Sequence, residues 1–279
     1  LALVSALGNF VTPLQIGAHD MAYPFLNMLS YWTIVPACLL MIASFFAPEG
    51  AASAGWTSYP PLSALAEAGS GPGQTIWLLA MALFIASFTM GGLNFVATIL
   101  NMRTRGMSLM RMPLTIWTLF YASALDILTF PALTAAAIML LLDRLGGTSF
   151  FLPAGLIVSG QILPHQGGTP LLFQPLFWFL GHPEVYVLVL PAIGIAFDVL
   201  AVFGRRPVFG YRNTIWSILA VCVLGTVAWG HHMFTSGMNP YLGEYFSIVT
   251  VLITLPFSVI AINLVASLWR AQIRLHTPM

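Results

Sequence analysis

Six long apolar stretches constrain the fold of this 279-residue chain more than any other feature. A helix needs about 20 residues to cross the hydrocarbon core of a bilayer, whereas a barrel strand needs about 10, so stretches of this length exclude a barrel. Only 6% of the residues are charged, against roughly 25% in a soluble domain. The sequence therefore predicts an all-α polytopic membrane protein, a transmembrane helix bundle with about six complete spans plus one truncated span. The complete spans are expected near 27–47, 75–101, 112–142, 171–203, 213–230 and 244–269, and the truncated one at 1–17.

The basic residues predict the orientation of these spans. All nine are arginines, and only Arg144 falls on the opposite side from the rest. The positive-inside rule makes the Arg-rich side cytoplasmic, which also places the loop containing Asp20 inside. The net charge of +1 reflects this bias, and we expect no nucleic-acid partner. The arginines that share the inner side are Arg103, Arg105, Arg111, Arg205, Arg206, Arg212, Arg270 and Arg274.

Two clusters of ionisable residues interrupt the predicted spans. Residues 181–186 read Gly-His-Pro-Glu-Val-Tyr, and His231 and His232 are neighbours. Placing an ionisable group inside a membrane costs free energy, so such a group is interpreted by default as functional. On a helix, His182 and Tyr186 share one face because they are four residues apart, while Glu184 points to roughly the opposite side.

Three histidines of this kind are candidate metal ligands. Neutral imidazoles suit copper or zinc, and a phenol beside them favours redox-active copper. Two adjacent histidines cannot share a helical face, so His231 and His232 are expected at a helix end or in an irregular turn. The alternative is that each is a core histidine bonded to a backbone carbonyl. His19 and His165 lie in polar connections and are not predicted to bind metal.

These motifs resemble the catalytic subunit I of the haem–copper oxidases, the cytochrome c and quinol oxidases. Besides 181–186, the resemblance includes Leu-Phe-Trp-Phe at 176–179 and Trp-Gly-His-His-Met-Phe-Thr at 229–235. It continues nearly end to end, with further landmarks at 8–10, 20–22, 55–57, 101–103, 209–211 and 277–279. In the family, such a subunit reduces O₂ to water and couples this reaction to proton translocation.

The resemblance implies a role for each residue of the two clusters. His182, His231 and His232 would bind the copper called CuB, opposite a haem iron. Tyr186 would donate an electron and a proton, and in the family its counterpart is covalently joined to the counterpart of His182. Glu184 would pass protons onward. Trp178 and Trp229 would be packing neighbours of the centre and not ligands.

The cofactors and partners follow from the same resemblance. The full-length protein would hold two haems, whose ligands in the family come from segments before Leu1 and beyond Met279; His276 does not match a ligand motif. The chain is therefore expected to be a fragment of a longer subunit I, with 1–279 forming one membrane domain that is inactive alone. Its partners would be oxidase subunits II and III, cytochrome c or quinol as electron donor, O₂ and the bilayer of a bacterial inner membrane.

The family's D pathway for protons also has counterparts here. Asp20, Asn9 and Asn27 match its inner mouth, and Glu184 matches its inner terminus. The alternative is that Asp20 is a solvated loop acid and Asn27 a helix cap.

The second family pathway, which uses a lysine, does not carry over. The chain contains no lysine, and Ile260, Phe257 and Phe197 occupy the positions of its polar residues. We expect protons from this side to enter through Asp198 and Asn263, or else that Glu184 serves both purposes. The alternative for Asp198 is a helix-end acid paired with Arg205 or Arg206.

Asp126 is an acid in the middle of the predicted span 112–142. Inserting an Asp there costs about 2.5–3.5 kcal/mol on translocon scales. Ser123, Asp126 and Thr129 are spaced three apart on one stripe, and the functional hypothesis is that they line the route from Asn27 to Glu184. The structural alternative is a protonated carboxyl bonded to a neighbouring helix.

Two other functions remain open from the sequence. A nitric oxide reductase-like enzyme of the same family is disfavoured because those enzymes lack the tyrosine at this position. An intramembrane copper or zinc transporter would explain the histidines and Glu184 but not the run of family landmarks.

Overall fold

A computed structural model describes residues 2–66, 70–164 and 167–273 of the chain. Most of the described residues are helical and very few are in strands, which confirms the all-α prediction. One small exception is an antiparallel pair of two-residue strands, β1 (Ile157–Val158) and β2 (Gln161–Ile162), in the connection after the third long helix. His165, Arg274, His276 and the landmark at 277–279 lie outside the described residues.

Eight α-helices account for most of the described chain. They are α1 (Gly8–Ile16), α2 (Pro24–Ser44), α3 (Pro72–Asn101), α4 (Leu114–Leu145), α5 (Phe173–Phe203), α6 (Tyr211–Ala228), α7 (Pro240–Leu252) and α8 (Thr254–Leu268). A π-helical segment, Ala2–Leu7, precedes α1, and short 3₁₀ turns cover Leu62–Ala64, Leu109–Arg111, Pro170–Leu172 and Trp229–Met233.

Within the described residues, six helical segments are long and apolar enough to cross a membrane, as the sequence predicted. They are Pro24–Ser44, Pro72–Asn101, Leu114–Leu145, Pro170–Phe203, Tyr211–Met233 and Pro240–Leu268. The shorter apolar segment predicted at 1–17 is helical from Ala2 to Ile16. The length and apolar composition of these helices indicate an integral membrane protein.

Prolines set several helix boundaries. Pro24, Pro72 and Pro240 stand in the first helical positions of α2, α3 and α7, where a missing N–H costs nothing. This is why α2 and α3 begin three residues before the predicted spans. Pro256 lies near the start of α8 and cannot donate to the preceding turn, so the last span is broken between α7 and α8 at Ile253.

The long helices pack as sequential neighbours. α2 packs on α3, α3 on α4, and α4 on α5, while α6 packs on α8. Close approach of α4 and α5 depends on Gly194, where an added Cβ would lie 2.8 Å from the carbonyl oxygen of Leu114. α5 runs through Pro183 and Pro191 without interruption and contacts the turn Trp229–Met233, which brings the two histidine motifs to one place.

Candidate metal centre

The two histidine motifs come from different parts of the bundle. His182 lies on α5, one turn before Tyr186. His231 and His232 lie in the 3₁₀ turn that follows α6. Both rings nevertheless lie close to His182, with centroids 4.5 and 5.4 Å from its ring.

The three imidazoles form one cluster. One ligand nitrogen from each of His182, His231 and His232 can be chosen so that all lie within 4.8 Å of one another. Nδ1 of His182 lies 3.3 Å from Nε2 of His232. The ring centroids of His182 and His231 are 4.5 Å apart with the planes at 87°, and those of His231 and His232 are 4.3 Å apart.

The cluster fits a metal that prefers nitrogen donors. His182 is buried, with 6% of its surface exposed, and its Nε2 has no hydrogen-bond partner among the described residues. A buried polar atom without a hydrogen-bond partner is costly unless an ion or a water satisfies it. Three imidazoles without a carboxylate in the group suit copper or zinc better than a hard cation.

Aromatic side chains hold one edge of the cluster. The ring of Trp178 stacks on His232 at a centroid distance of 3.9 Å and an angle of 5°. Its Nε1 donates to the hydroxyl of Tyr59, in the loop between α2 and α3. Burial raises the pKa of Tyr59, and the bond from Trp178 opposes this rise. Trp229 instead packs against Phe179 and Phe246, at centroid distances of 6.2 and 5.5 Å.

The side chains of Tyr186 and Glu184 point away from α5 in different directions. The Tyr186 ring is edge-on to His182 with centroids 4.7 Å apart, and it lies against Gly225 of α6. Glu184 lines a separate cavity of about 280 Å³ together with Phe84, Phe88, Phe130 and two apolar residues of α5. The divergence matches the helical spacing of the motif.

Only some of the candidate proton-route residues line the same cavity. Asn9, Asn27 and Asp126 line one cavity of about 410 Å³ between α1, α2, α3 and α4. Asp20 is exposed on the loop before α2, where its Oδ1 accepts from the backbone N–H of Met21 at 2.7 Å. Thr129, which the sequence placed on the same stripe as Asp126, is fully buried and donates its hydroxyl to the Leu125 carbonyl.

Apolar side chains occupy two of the positions at which the family's lysine pathway has polar residues. Phe197 and Ile260 are buried, with 0% and 3% of their surfaces exposed. Asp198 accepts hydrogen bonds from the start of α4, and Asn263 donates to the carbonyl of Gly210 and the hydroxyl of Thr214. Both suggested substitutes are thus engaged in contacts between helices.

Comparison with known proteins agrees with this geometry. The family model described as "Cytochrome C and Quinol oxidase polypeptide I" matches residues 1–279. The chain belongs to this oxidase polypeptide I family. The match covers both histidine motifs and every helix described above.

Relatives of this oxidase family come from several bacteria. The chain is 49% identical over 277 residues to the "Alternative cytochrome c oxidase subunit 1" of Bradyrhizobium diazoefficiens. It is 42% identical to the "Cytochrome c oxidase subunit 1" of Synechocystis sp. over 276 residues and of Cereibacter sphaeroides over 282 residues. These alignments cover 99%, 99% and 100% of this chain and 47% of each relative. The chain spans about half the length of these curated relatives.

Two residues next to the histidine cluster were not predicted from the sequence. Thr250 of α7 lies 2.8 Å from His231 through its Oγ1, and Tyr59 supports Trp178 from the loop before α3. Threonine in an apolar span and tyrosine in a loop are both ordinary, so neither carries a signal of its own. Only the landmark at 55–57, two residues before Tyr59, drew attention to that loop.

Proposed function

We propose that the full-length protein is subunit I of a terminal respiratory oxidase that reduces O₂ to water and couples the reaction to proton translocation. The observation that carries this proposal is the cluster of three imidazoles with Tyr186 beside it. The cluster occurs in a chain that matches the oxidase polypeptide I family over its whole length.

In this proposal, His182, His231 and His232 hold the copper CuB. Copper held by these three imidazoles would supply redox chemistry to the proposed reaction. The unpartnered Nε2 of buried His182 supports the assignment, because that nitrogen has a lone pair or proton left to satisfy. The two haems belong to the full-length protein.

Tyr186 is proposed to donate an electron and a proton to the reaction. Its ring lies edge-on to His182 and is 8% exposed, so the phenol works where water is largely excluded. Its position on the same helix face as the metal ligand fixes this distance through the backbone of α5.

Protons are proposed to enter at Asp20, pass the cavity of Asn9 and Asn27, and reach Glu184. The exposed position of Asp20 supports an entrance, and the cavity lined by Asn9 and Asn27 has room for water. Asp198 and Asn263 are committed to helix contacts. We therefore infer that Glu184 serves both the chemical and the pumped protons.

The setting of the proposed enzyme is a bacterial inner membrane. There it would assemble with oxidase subunits II and III and receive electrons from cytochrome c or quinol. None of the relatives named above is called a nitric oxide reductase or a metal transporter, and the comparisons give those two alternatives no support.

The decisive experiment is His231→Ala in the full-length protein. A three-nitrogen site that loses one ligand should lose copper and O₂ reduction, while the spectrum of the low-spin haem is retained. Copper is measured by elemental analysis of the purified protein, and the haem by its visible spectrum.

His19→Ala is the matched control, because His19 is an exposed histidine in the loop before α2 and should keep copper and activity. Normal copper in His231→Ala would remove the metal assignment. A full-length protein that binds metal but no haem would instead point to a transporter.

A further inference from the structure

Several buried oxygen atoms of α1 and α4 lack hydrogen-bond partners among the described residues. They are Asn9 Oδ1, Thr12 Oγ1 and Gln15 Oε1 on α1, and Ser123 Oγ and Asp126 Oδ1 on α4. Each unsatisfied buried group costs roughly 1–3 kcal/mol. The three on α1 are spaced three apart and therefore share a face that leads from the inner end of α1 towards Asn9.

Asp126 is the only ionisable residue in this set. It has 1% of its surface exposed and lies near the middle of α4. It lines the 410 Å³ cavity with Asn9, Asn27 and Ser87. A water needs roughly 10–15 Å³ of such volume and 2–4 polar partners, so this cavity has room and partners for a chain of waters.

The neighbours of Asp126 do not support a purely structural role. Its Cβ is near Gly92 of α3, where an added Cβ would lie 3.4 Å away. Glycine offers no side chain to bond the carboxyl, and Oδ1 remains without a partner. The residues that line the cavity include no Arg, Lys or His that could pair with an ionised carboxylate. A carboxyl in this position is stable only when it carries a proton or is solvated.

The cavity of Asp126 also adjoins that of Glu184. Phe88 lines both spaces, and it stacks on Phe84 and Phe130 at centroid distances of 4.6 and 6.0 Å. Phe88 is thus the residue that the two cavities share. Asp126 lines the cavity that contains Asn9.

We propose that Asp126 is a proton-carrying residue that exchanges its proton with water in the cavity it shares with Asn9 and Asn27. This inference rests on the proposed oxidase function for its role in turnover. The placement of an exchangeable carboxyl in a hydrated cavity does not depend on that function. It adds a protonatable group between Asp20 and Glu184.

Infrared difference spectroscopy of the full-length protein tests the proposal directly. The oxidised-minus-reduced spectrum should contain the C=O band of a protonated carboxyl that shifts in D₂O. The band should vanish in Asp126→Asn and move in Asp126→Glu. Thr134→Ala is the matched control, because Thr134 lies about two turns away on α4, donates its hydroxyl to the Phe130 carbonyl and carries no carboxyl; it should keep the band.

Proton uptake is the second readout. Asp126→Asn should slow it on the order of 100-fold, the lower end of what a positioned acid–base group contributes, and Asp126→Glu should restore most of the rate. If Asp126→Asn does not assemble, the position of the band in Asp126→Glu still decides the question.

A D₂O-sensitive band that is the same in wild type, Asp126→Asn and Asp126→Glu would overturn the proposal, as would an unchanged rate of proton uptake in Asp126→Asn. Failure of the oxidase function has a different signature: no copper and no O₂ reduction in the wild-type protein. Copper and O₂ reduction test the oxidase function, whereas the infrared band tests the Asp126 proposal. The failure of one can therefore be distinguished from the failure of the other.

Discussion

The hydroxyl of Thr250 fixes the tautomer of His231. Thr250 Oγ1 donates its single proton to the carbonyl of Phe246 at 2.6 Å, and it lies 2.8 Å from Nδ1 of His231. A hydroxyl has only one proton to give, so in this contact His231 Nδ1 is the donor. The lone pair of Nε2 is then free, which is the arrangement that a metal-binding imidazole needs.

Thr250→Val should therefore weaken copper binding in the full-length protein. Valine has nearly the shape of threonine but cannot accept from Nδ1, so the ring loses its fixed tautomer and orientation. Loss of such a support costs about 10–100-fold in metal affinity. Copper affinity is measured by competition with a chelator. Thr250→Ser keeps the acceptor and should retain wild-type affinity; equal weakening in both variants would show that the methyl group matters and not the hydrogen bond.

Tyr59→Phe should loosen the stacking of Trp178 on His232. The change removes the acceptor for Trp178 Nε1 while it keeps the aromatic contacts of residue 59 with Phe173 and Phe177. A buried N–H without a partner costs about 1–3 kcal/mol. We expect a lower unfolding temperature and a changed copper spectrum, with copper still bound. Wild-type values for both would mean that Trp178 finds another acceptor.

Gly225→Ala should displace Tyr186. An added Cβ at Gly225 would lie 2.5 Å from Cε2 and 2.7 Å from Cδ2 of the tyrosine ring, and such overpacking costs typically about 1–3 kcal/mol. O₂ reduction should fall sharply while copper remains bound. The matched control is Gly243→Ala in α7, where the nearest atom is 3.9 Å away and activity should be unchanged. Full activity in Gly225→Ala would contradict the role proposed for the Tyr186 position.

Arg144→Lys should destabilise the outer side of the bundle. The guanidinium at the end of α4 donates to the carbonyls of Ser63, Leu65, Ser70 and Gly71 and to two hydroxyls. Lysine keeps the charge but cannot reproduce this fork. With bonds to a charged group each worth roughly 1.5–3 kcal/mol, we expect the free energy of unfolding to fall by about 3 kcal/mol. Denaturant unfolding in detergent measures this free energy. A change within experimental error would show that water replaces the lost guanidinium hydrogen bonds.

The sequence predicted the spans well because they depend on local composition. The six apolar stretches correspond to the six helices long enough to span a membrane. The adjacency of His231 and His232 predicted a helix end or an irregular turn, and the two residues lie in the 3₁₀ turn that follows α6. The His182 and Tyr186 pair followed from helical spacing alone. Each of these inferences uses only neighbours in the chain.

Partners distant in the chain could not be predicted in the same way. Asp198 was expected either in a proton route or in a pair with Arg205 or Arg206, which are its nearest arginines in sequence. Its carboxylate instead caps α4, accepting from Leu114 N at 3.3 Å, Thr115 N at 3.0 Å and Thr115 Oγ1 at 2.6 Å. These residues are more than 80 positions away, and nothing in the sequence around Asp198 indicates them.

Asp198 is therefore expected to stabilise the fold without conducting protons. The first N–H groups of a helix lack partners within the helix, and a carboxylate near them also interacts favourably with the helix dipole. Asp198→Ala should lower the free energy of unfolding by about 0.5–2 kcal/mol, as for other lost caps. Asp198→Asn keeps one acceptor oxygen and should lose less. The rate at which the haem–copper centre is reduced, measured by stopped flow in the full-length enzyme, should stay at the wild-type value in Asp198→Asn. A slow reduction in that variant, with unchanged stability, would restore Asp198 as a proton carrier and would require a second route beside the one through Asp20 and Glu184.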